Sequence, residues 1–163
     1  MIQLPRPAVL DGVSTPCDGL SQAGGLPSDP NRPLRCLLIQ PELEQTNYWN
    51  FVASARAIGA KATAPPLGLM TVAALLPQTW EFRLVDLNVG PLSDEDWDWA
   101  ELVCTGGMLP QHPGILNLVA RAKRDGKFVA VGGPDPTSQP QIYDHADAVV
   151  MGEGEETIPM WLE

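Results

Sequence analysis

The chain has 163 residues, of which 44% are hydrophobic, and a formal charge of −10 from 20 acidic and 10 basic side chains. This length suits one domain whose core is large enough to fold without disulfides or metals. The acidic surface repels phosphate backbones, so we expect no nucleic-acid partner. No run of eighteen apolar residues occurs, so we expect no membrane span, and no basic segment leads into an apolar stretch as in a secretory signal.

The three cysteines and the N-terminal segment contain no binding motif. Cys17, Cys36 and Cys104 are widely spaced and form no Cys-x-x-Cys pair. They indicate reduced thiols in a cytoplasmic protein, with no metal or cluster site made within this chain. Residues 1–32 contain five prolines among glycines and serines. These break any regular period, so we predict a flexible N-terminal arm, followed by one ordered domain over residues 33–163.

From Pro33 onward, strands are predicted to alternate with helices. Apolar runs predict strands at Leu34–Ile39, Glu81–Leu87, Leu102–Thr105, Lys127–Val131 and Ala148–Met151. Helices are predicted from Pro65-Pro66 to Pro77, over Asp94–Trp99 with Ser93 as N-cap, over Pro113–Asp125 with Gly126 as a left-handed C-cap, and over Gln139–His145 and Glu155–Leu162. Strands alternating with helices indicate an α/β, Rossmann-like (flavodoxin-like), doubly wound sheet of about five parallel strands in the order 2-1-3-4-5.

The segment between the first strand and the first helix is predicted to be a long loop. It runs from Glu42 to Ala64 and contains the aromatic cluster Tyr48-Trp49-Asn50-Phe51. The cluster either covers an edge of the sheet or roofs a large planar ligand. In the helix that follows, the apolar residues at helical spacing are Leu67, Met70, Ala74 and Leu75.

Three strand-like runs each end in a glycine turn: Val103–Met108, Val129–Pro134 and Ala148–Glu156. Open parallel sheets bind ligands in the crevice at the carboxyl ends of their strands. Glycine there lets the backbone approach a ligand, although a glycine after a strand is often only a packing requirement. Three such turns on successive strands predict a broad ligand held mainly by backbone.

Common nucleotide and phosphate motifs are missing from these turns. No Gly-x4-Gly-Lys-Ser/Thr occurs, and Gln40-Pro41-Glu42 follows the first strand where a dinucleotide fingerprint or a flavodoxin phosphate loop is needed. Thr105-Gly106 and Gly152-Glu153 stand where a response regulator needs Asp and Lys. His112 and His145 have no partner at an informative spacing, and we interpret both as structural or solvated.

Four segments occur in a characteristic order: Pro65–Pro77, Leu84–Asn88, Gly132-Gly133-Pro134 and Gly152–Thr157. Together they resemble the N-terminal cobalamin-binding domain of B12-dependent radical SAM enzymes, a group with hopanoid-type methyltransferases and porphyrin-cyclase-type members. The resemblance covers roughly residues 34–163. It implies a Rossmann-like domain with the corrin over the carboxyl edge of the sheet and the nucleotide tail among the strands.

The resemblance also implies which residues line the cofactor, and no catalytic residue or protein metal ligand is expected. The implied cofactor-binding residues are Pro41, Glu42, Thr105, Gly106, Gly107, Met108, Gly132, Gly133, Pro134, Gly152, Glu153, Gly154 and Glu155. Met108 is either a gap-filling side chain or a direct cofactor contact, and Met108 or Leu109 would lie below the metal. We expect Gly133→Val to abolish cobalamin binding while leaving the fold mostly intact.

Two motifs of related proteins are missing, and their absence shapes the functional expectation. No Asp-x-His-x-x-Gly follows the first strand, which implies base-off cobalamin without a histidine ligand. No Cys-x-x-x-Cys-x-x-Cys occurs, so the 4Fe–4S cluster and S-adenosylmethionine would belong to a C-terminal radical SAM domain outside this chain. The chain is then a fragment that binds cofactor but turns nothing over. The full protein would transfer methyl groups to an unactivated or hydrophobic substrate.

Two other interpretations of the same residues remain open. The chain is alternatively a non-catalytic flavodoxin-like module whose glycine edge binds another small molecule or a partner protein. It is alternatively an orphan domain that keeps the fold as a scaffold without its ligand. Uptake of cobalamin separates the first interpretation from the alternatives.

Overall fold

The apolar runs of the sequence become strands, and the segments between them become helices. A computed structural model describes residues 33–43, 51–62 and 64–162. The predicted arm at 1–32 and most of the aromatic cluster at 48–50 lie outside the described residues. The elements are β1 (Arg35–Gln40), α1 (Val52–Ala57), α2 (Leu67–Leu75), β2 (Glu81–Asp86), α3 (Asp94–Trp99), β3 (Leu102–Gly106), a 3-10 turn (Leu109–Gln111), α4 (His112–Arg124), β4 (Phe128–Gly132), α5 (Pro134–Ser138), a second 3-10 turn (Pro140–Tyr143), β5 (Ala148–Val150) and α6 (Gly154–Leu162).

The five strands form one sheet in which every neighbouring pair is parallel. Their order is β2-β1-β3-β4-β5, so the predicted fold class and strand order are confirmed. The strand order reverses between β1 and β3, which is the point where open α/β sheets place their ligand crevice. All five strands end at the same edge, and the three predicted glycine turns therefore meet there.

Alternate residues of each strand pack against different helices. One face presents Leu37, Ile39, Val103, Val129, Val131 and Val149 to α3, α4 and Tyr143. The other, which we call the α2/α6 face, presents Cys36, Leu38, Leu102, Cys104, Phe128, Ala130 and Ala148 to Leu69 and Leu76 near α2 and to Ile158 and Trp161 of α6. Burial on both faces explains why the three central strands β1, β3 and β4 are mostly apolar, whereas the edge strand β2 is only partly buried and carries charged residues.

Side chains on the α2/α6 face become smaller toward the carboxyl ends of the two central strands. β3 presents Leu102, Cys104 and Gly106, and these pair in register with Phe128, Ala130 and Gly132 of β4. Side-chain volume falls in parallel on both strands, from a large residue to glycine. Helices α2 and α6 do not fill the space above the small side chains at this end of the strands. A slot therefore opens at the carboxyl edge of the sheet.

Most predicted helix boundaries and caps agree with the structure. The Ser93 hydroxyl accepts a 3.0 Å hydrogen bond from the Asp96 amide at the start of α3. Gly126 has φ +67 after α4, as its predicted left-handed cap requires. The residues predicted to lie inward on α4, namely Ile115, Leu118, Val119 and Ala122, are buried.

Three local expectations differ from the structure. A short helix, α1, lies within the segment predicted as loop, and its preceding residue Phe51 is 48% exposed. The helix predicted over Gln139–His145 is a 3-10 turn over Pro140–Tyr143, and the unpredicted helix α5 precedes it. On α2, Leu67 and Met70 are exposed while Leu69 is buried. Nearly every position of this helix is apolar, so its spacing does not determine which side faces the core.

Within the described part of the chain, no helix combines the length and apolar character needed to cross a membrane.

Candidate functional site

A cavity of about 540 Å3 occupies the slot between the α2/α6 face and its two helices. Its inner wall includes Cys104 and Ala130, the middle residues of the tapering strands. Leu69 of α2 and Trp161 of α6 line the opposite wall. The volume lies within the range of small-molecule sites, and the walls are mostly apolar, as in most such sites.

Most of the predicted cofactor-binding residues lie together at the mouth of this cavity. The lining includes Thr105, Gly106, Gly107, Gly132, Gly133, Pro134, Gly152, Glu153, Gly154 and Glu155. Pro41, Glu42 and Met108 are not part of it. Pro41 is buried beneath the turns, Glu42 is exposed, and the Met108 side chain is 43% exposed. The structure thus brings the three glycine turns together, and their role in binding a cofactor stays a prediction.

The glycines at the mouth let neighbouring turns touch each other. A Cβ on Gly106 would lie 2.0 Å from the Gly132 carbonyl oxygen, closer than real contacts allow. Gly133 has φ +92, and a Cβ there would lie 3.2 Å from the Gly107 nitrogen. Gly133→Val would therefore strain the backbone as well as narrow the mouth, because β-branched residues avoid positive φ. We accordingly expect it to cost stability as well as binding, which makes it a poor test of the site.

Several residues that line the cavity were missed by sequence reasoning. They are Gly68, Leu69, Thr71, Val72, Cys104, Ala130, Val131, Thr137, Val150, Ile158 and Trp161. The α2 residues had no readable signal, because nearly every position of that helix is apolar. The strand residues did have a signal in the sequence. Side-chain size at alternate positions of β3 and β4 decreases toward glycine, and this decrease marks the face on which the slot opens.

The charged residues in the described lining are two carboxylates, Glu153 and Glu155, both exposed at the mouth. Two threonine hydroxyls of the lining are bonded within the protein. The Thr105 hydroxyl donates to the Ile39 carbonyl at 2.9 Å, and the Thr137 hydroxyl accepts from the Gly152 amide at 3.1 Å. The slot therefore suits an apolar or aromatic group, and its acidic rim suits hydrogen-bond donors.

Cys104, which lines the slot, lies beside a second buried thiol, Cys36. Cys36 on β1 and Cys104 on β3 have their sulfur atoms 3.7 Å apart. This hydrogen bond, together with burial, raises the pKa of Cys36 far above its ordinary value. Cys36 thus stays a neutral thiol, and the inner end of the slot gains no thiolate charge from it.

A buried acid links α5 to α4 behind the glycine turns. The Asp135 side chain is fully buried, and its Oδ2 lies 2.8 Å from Nδ1 of His112 and accepts a short hydrogen bond from the Tyr143 hydroxyl. The Asp135 amide donates to the Gly107 carbonyl at 3.0 Å. His112 thus has an acidic partner, which sequence reasoning missed because the two residues are 23 positions apart on different helices.

The Tyr143 hydroxyl makes stability depend on alkaline pH. Burial, and then the hydrogen bond to Asp135, raise the pKa of Tyr143 well above its ordinary value of 10.0. The fold favours the neutral phenol, so this contribution is complete below pH 10 and is lost as pH rises through the folded-state pKa. We expect the free energy of unfolding to fall more steeply above pH 10 for the wild type than for Tyr143→Phe. Urea denaturation of both proteins between pH 8 and 11 measures the difference, and parallel curves would contradict this account.

The family of the chain follows from its match to a protein-family model. The family model described as "B12 binding domain" matches residues 54–161, which is more than half of the chain and includes the cavity-lining turns. This chain belongs to the B12-binding domain family. The family assignment made from the ordered motifs is therefore confirmed.

Two curated relatives place this B12-binding domain within longer proteins. A Synechocystis protein named an uncharacterized methyltransferase is 44% identical over 132 residues, covering 80% of this chain and 24% of that protein. The hopanoid C-2 methylase of Rhodopseudomonas palustris is 36% identical over 92 residues, covering 56% of this chain and 18% of that protein. The chain thus spans about a quarter or less of these relatives. No solved structure matches it significantly.

Proposed function

We propose that this chain binds cobalamin base-off, without a histidine ligand, as the cofactor domain of a longer cytoplasmic methyltransferase. The observation that carries the proposal is the slot between the tapering strands, which opens where the three glycine turns meet. All of its lining residues except Gln40 lie inside the segment matched by the family model.

The size and chemistry of the slot fit one part of the cofactor. A cavity of about 540 Å3 is too small for a whole cobalamin but suits an elongated, partly aromatic tail. In the proposal Ala130 and Cys104 make room for that tail, while the turns at 106–107 and 132–133 support the corrin over the edge. Glu153 and Glu155 would accept hydrogen bonds from the amide side chains of the corrin. When bound, cobalamin supplies a carrier of methyl groups or electrons, and the domain holds it and shields one side from water.

The described histidines support a cobalt without a protein nitrogen ligand. His112 Nδ1 lies against Asp135 and the Tyr143 hydroxyl, and neither His112 nor His145 is among the residues that line the cavity. His145 is exposed beside Asp144. Neither residue follows β1, where related domains that ligate cobalt place their histidine.

The proposed activity belongs to the whole protein. The two relatives carry the names methyltransferase and methylase, and both are far longer than this chain. We infer a C-terminal radical SAM domain that holds S-adenosylmethionine and a 4Fe–4S cluster and methylates an unactivated or hydrophobic substrate. The absence of a Cys-x-x-x-Cys-x-x-Cys motif here is consistent with that division of labour.

The proposal is tested by loading the purified chain with hydroxocobalamin, removing free cofactor and reducing what remains. We expect about one corrin per chain, and a cob(II)alamin EPR spectrum without nitrogen superhyperfine splitting. Splitting from nitrogen would contradict base-off, histidine-free binding, and His112→Ala and His145→Ala would show whether either histidine supplies it. Failure to retain any corrin would contradict binding by this chain and favour the alternative of a module for another ligand or a partner protein.

A further inference from the structure

Gln111 is a buried polar residue that the proposed binding site does not use directly. It ends the 3-10 turn after β3, is 1% exposed and is not part of the cavity lining. Both ends of its amide are bonded. Nε2 donates to the Pro41 carbonyl at 2.7 Å, and Oε1 accepts from the Met108 amide at 3.1 Å.

These two bonds connect the turns on either side of the sheet's switch point. Pro41 follows β1 and Met108 follows β3, and the strand order reverses between these strands. The Pro41 carbonyl also accepts from Asn88 Nδ2 at 3.2 Å, so the β1 turn is tied to the end of β2. On its other side, the β3 turn is tied to α5 through the Asp135 amide and the Gly107 carbonyl. Gln111 is therefore a side-chain link in the middle of a row of turns.

We propose that Gln111 is a positioning residue that holds the β1 and β3 turns at the separation on which the corrin rests. The inference rests on the proposed function, and it assigns a role to a residue outside the cavity. In this proposal Gln111 acts through Pro41 and Met108, and these two predicted site residues gain an indirect role although neither lines the slot. A side chain bonded at both ends and shielded from water fixes the distance between its partners more firmly than an exposed one.

The glycine at position 107 supports this assignment independently of any ligand. A Cβ there would lie 2.3 Å from Gln111 Oε1 and 2.8 Å from Cδ. Any larger residue would push the amide away from Met108 and Pro41. Gly107 and Gln111 are thus energetically coupled, and a double-mutant cycle measures that coupling.

The main test compares Gln111→Glu with Gln78→Glu as the matched control. The Gln78 amide also donates to backbone, at 2.7 Å to the Leu76 carbonyl, but at the end of α2 and partly exposed. With a carboxylate at 111, an oxygen faces the Pro41 carbonyl while the bond from Met108 is kept. We expect the Kd for cobalamin to rise roughly tenfold at pH 8 in Gln111→Glu and to stay unchanged in Gln78→Glu. The circular dichroism of the bound corrin should change only in the first variant.

A pH series adds a readout that a general loss of stability would not give. A protonated carboxyl at 111 can donate one hydrogen bond and accept another, which are the two bonds that the Gln111 amide makes, so the cobalamin affinity of Gln111→Glu should approach that of the wild type as pH falls toward 5. His112, the next residue in the chain, and its partners Asp135 and Tyr143 are unchanged between the two proteins. An affinity ratio of one at pH 8, or a ratio that does not shrink with falling pH, overturns the positioning role.

A ligand-free measurement separates this inference from the proposed function. Amide hydrogen exchange at Met108 should be protected in the wild type and in Gln111→Glu, and should accelerate in Gln111→Leu. Gly107→Ala should destabilise the wild type far more than it destabilises Gln111→Ala, and additive effects would overturn the link. A wild type that retains no cobalamin contradicts the proposed function and, with it, the role of Gln111 toward a corrin. The exchange rates and the cycle would still decide whether Gln111 joins the turns.

Discussion

Replacing Ala130 by leucine is expected to abolish cobalamin binding without unfolding the domain. Ala130 is the middle residue of the taper on β4, 5% exposed, and its methyl group forms part of the cavity wall opposite α2 and α6. Leucine adds three carbon atoms directed into the slot, where the cofactor tail is proposed to lie. We expect the Kd to rise by at least about a hundredfold, which corresponds to roughly 2.7 kcal/mol.

The stability of the same variant makes the result interpretable. The added side chain enters an open apolar cavity rather than packed core, so we expect a melting temperature equal to or above that of the wild type. Absorbance titration with hydroxocobalamin and thermal denaturation measure the two quantities. Ala74→Leu on the exposed side of α2 is the matched control, and it should leave the Kd unchanged. Normal binding by Ala130→Leu would place the cofactor outside the slot.

The strand pattern of this domain was predictable because buried parallel strands have a strong signal. Five apolar runs, each followed by a turn residue or a glycine, were sufficient for the strand order and for the edge at which the turns meet. The three glycine turns were assigned to a common site for the same reason. The carboxyl ends of parallel strands meet at one edge of the sheet, however the helices pack against its faces.

The rest of the site depends on tertiary contacts that no local pattern reveals. The walls contributed by Leu69 and Trp161 depend on how α2 and α6 rotate over the sheet, and the apolar sequence of α2 allows several rotations. The contacts of Asp135 with His112 and of Gln111 with Pro41 join residues 23 and 70 positions apart. Side-chain hydrogen bonds between residues so far apart in sequence can be identified only once the fold is known.

The glycines of the three turns meet two requirements at the same edge of the sheet: room for a ligand and room for the neighbouring turn. Sequence reasoning assigned the glycines to a ligand that approaches the backbone. In the structure Gly106 meets Gly132 and Gly133 meets Gly107, so part of the requirement comes from the neighbouring turn. Packing and binding are therefore linked here, and a substitution can separate them.

Gly106→Ala is expected to be the most destabilising single-methyl substitution among these turns. The new Cβ would lie 2.0 Å from the Gly132 carbonyl oxygen and 2.8 Å from its carbon. Neither partner can move easily, because Gly106 pairs with Gly132 and Gly132 pairs with Val150 in the sheet. We expect a loss of about 3 kcal/mol in the free energy of unfolding, the upper range for overpacking a rigid site. Urea denaturation measures it.

Gly68→Ala is the control for the loss of a glycine as such. Gly68 lies in the first turn of α2, and a Cβ there meets nothing within 4 Å. The substitution should raise the free energy of unfolding by no more than about 1 kcal/mol. If Gly106→Ala is destabilised but its folded fraction binds cobalamin with wild-type affinity, a glycine at 106 is required for packing against Gly132 in the sheet. If the variant keeps its stability and loses affinity, the contact with Gly132 does not limit side-chain size at 106, and the glycine is required for binding of the ligand. Because the Cβ would overlap protein backbone before it reaches the slot, we expect the first result.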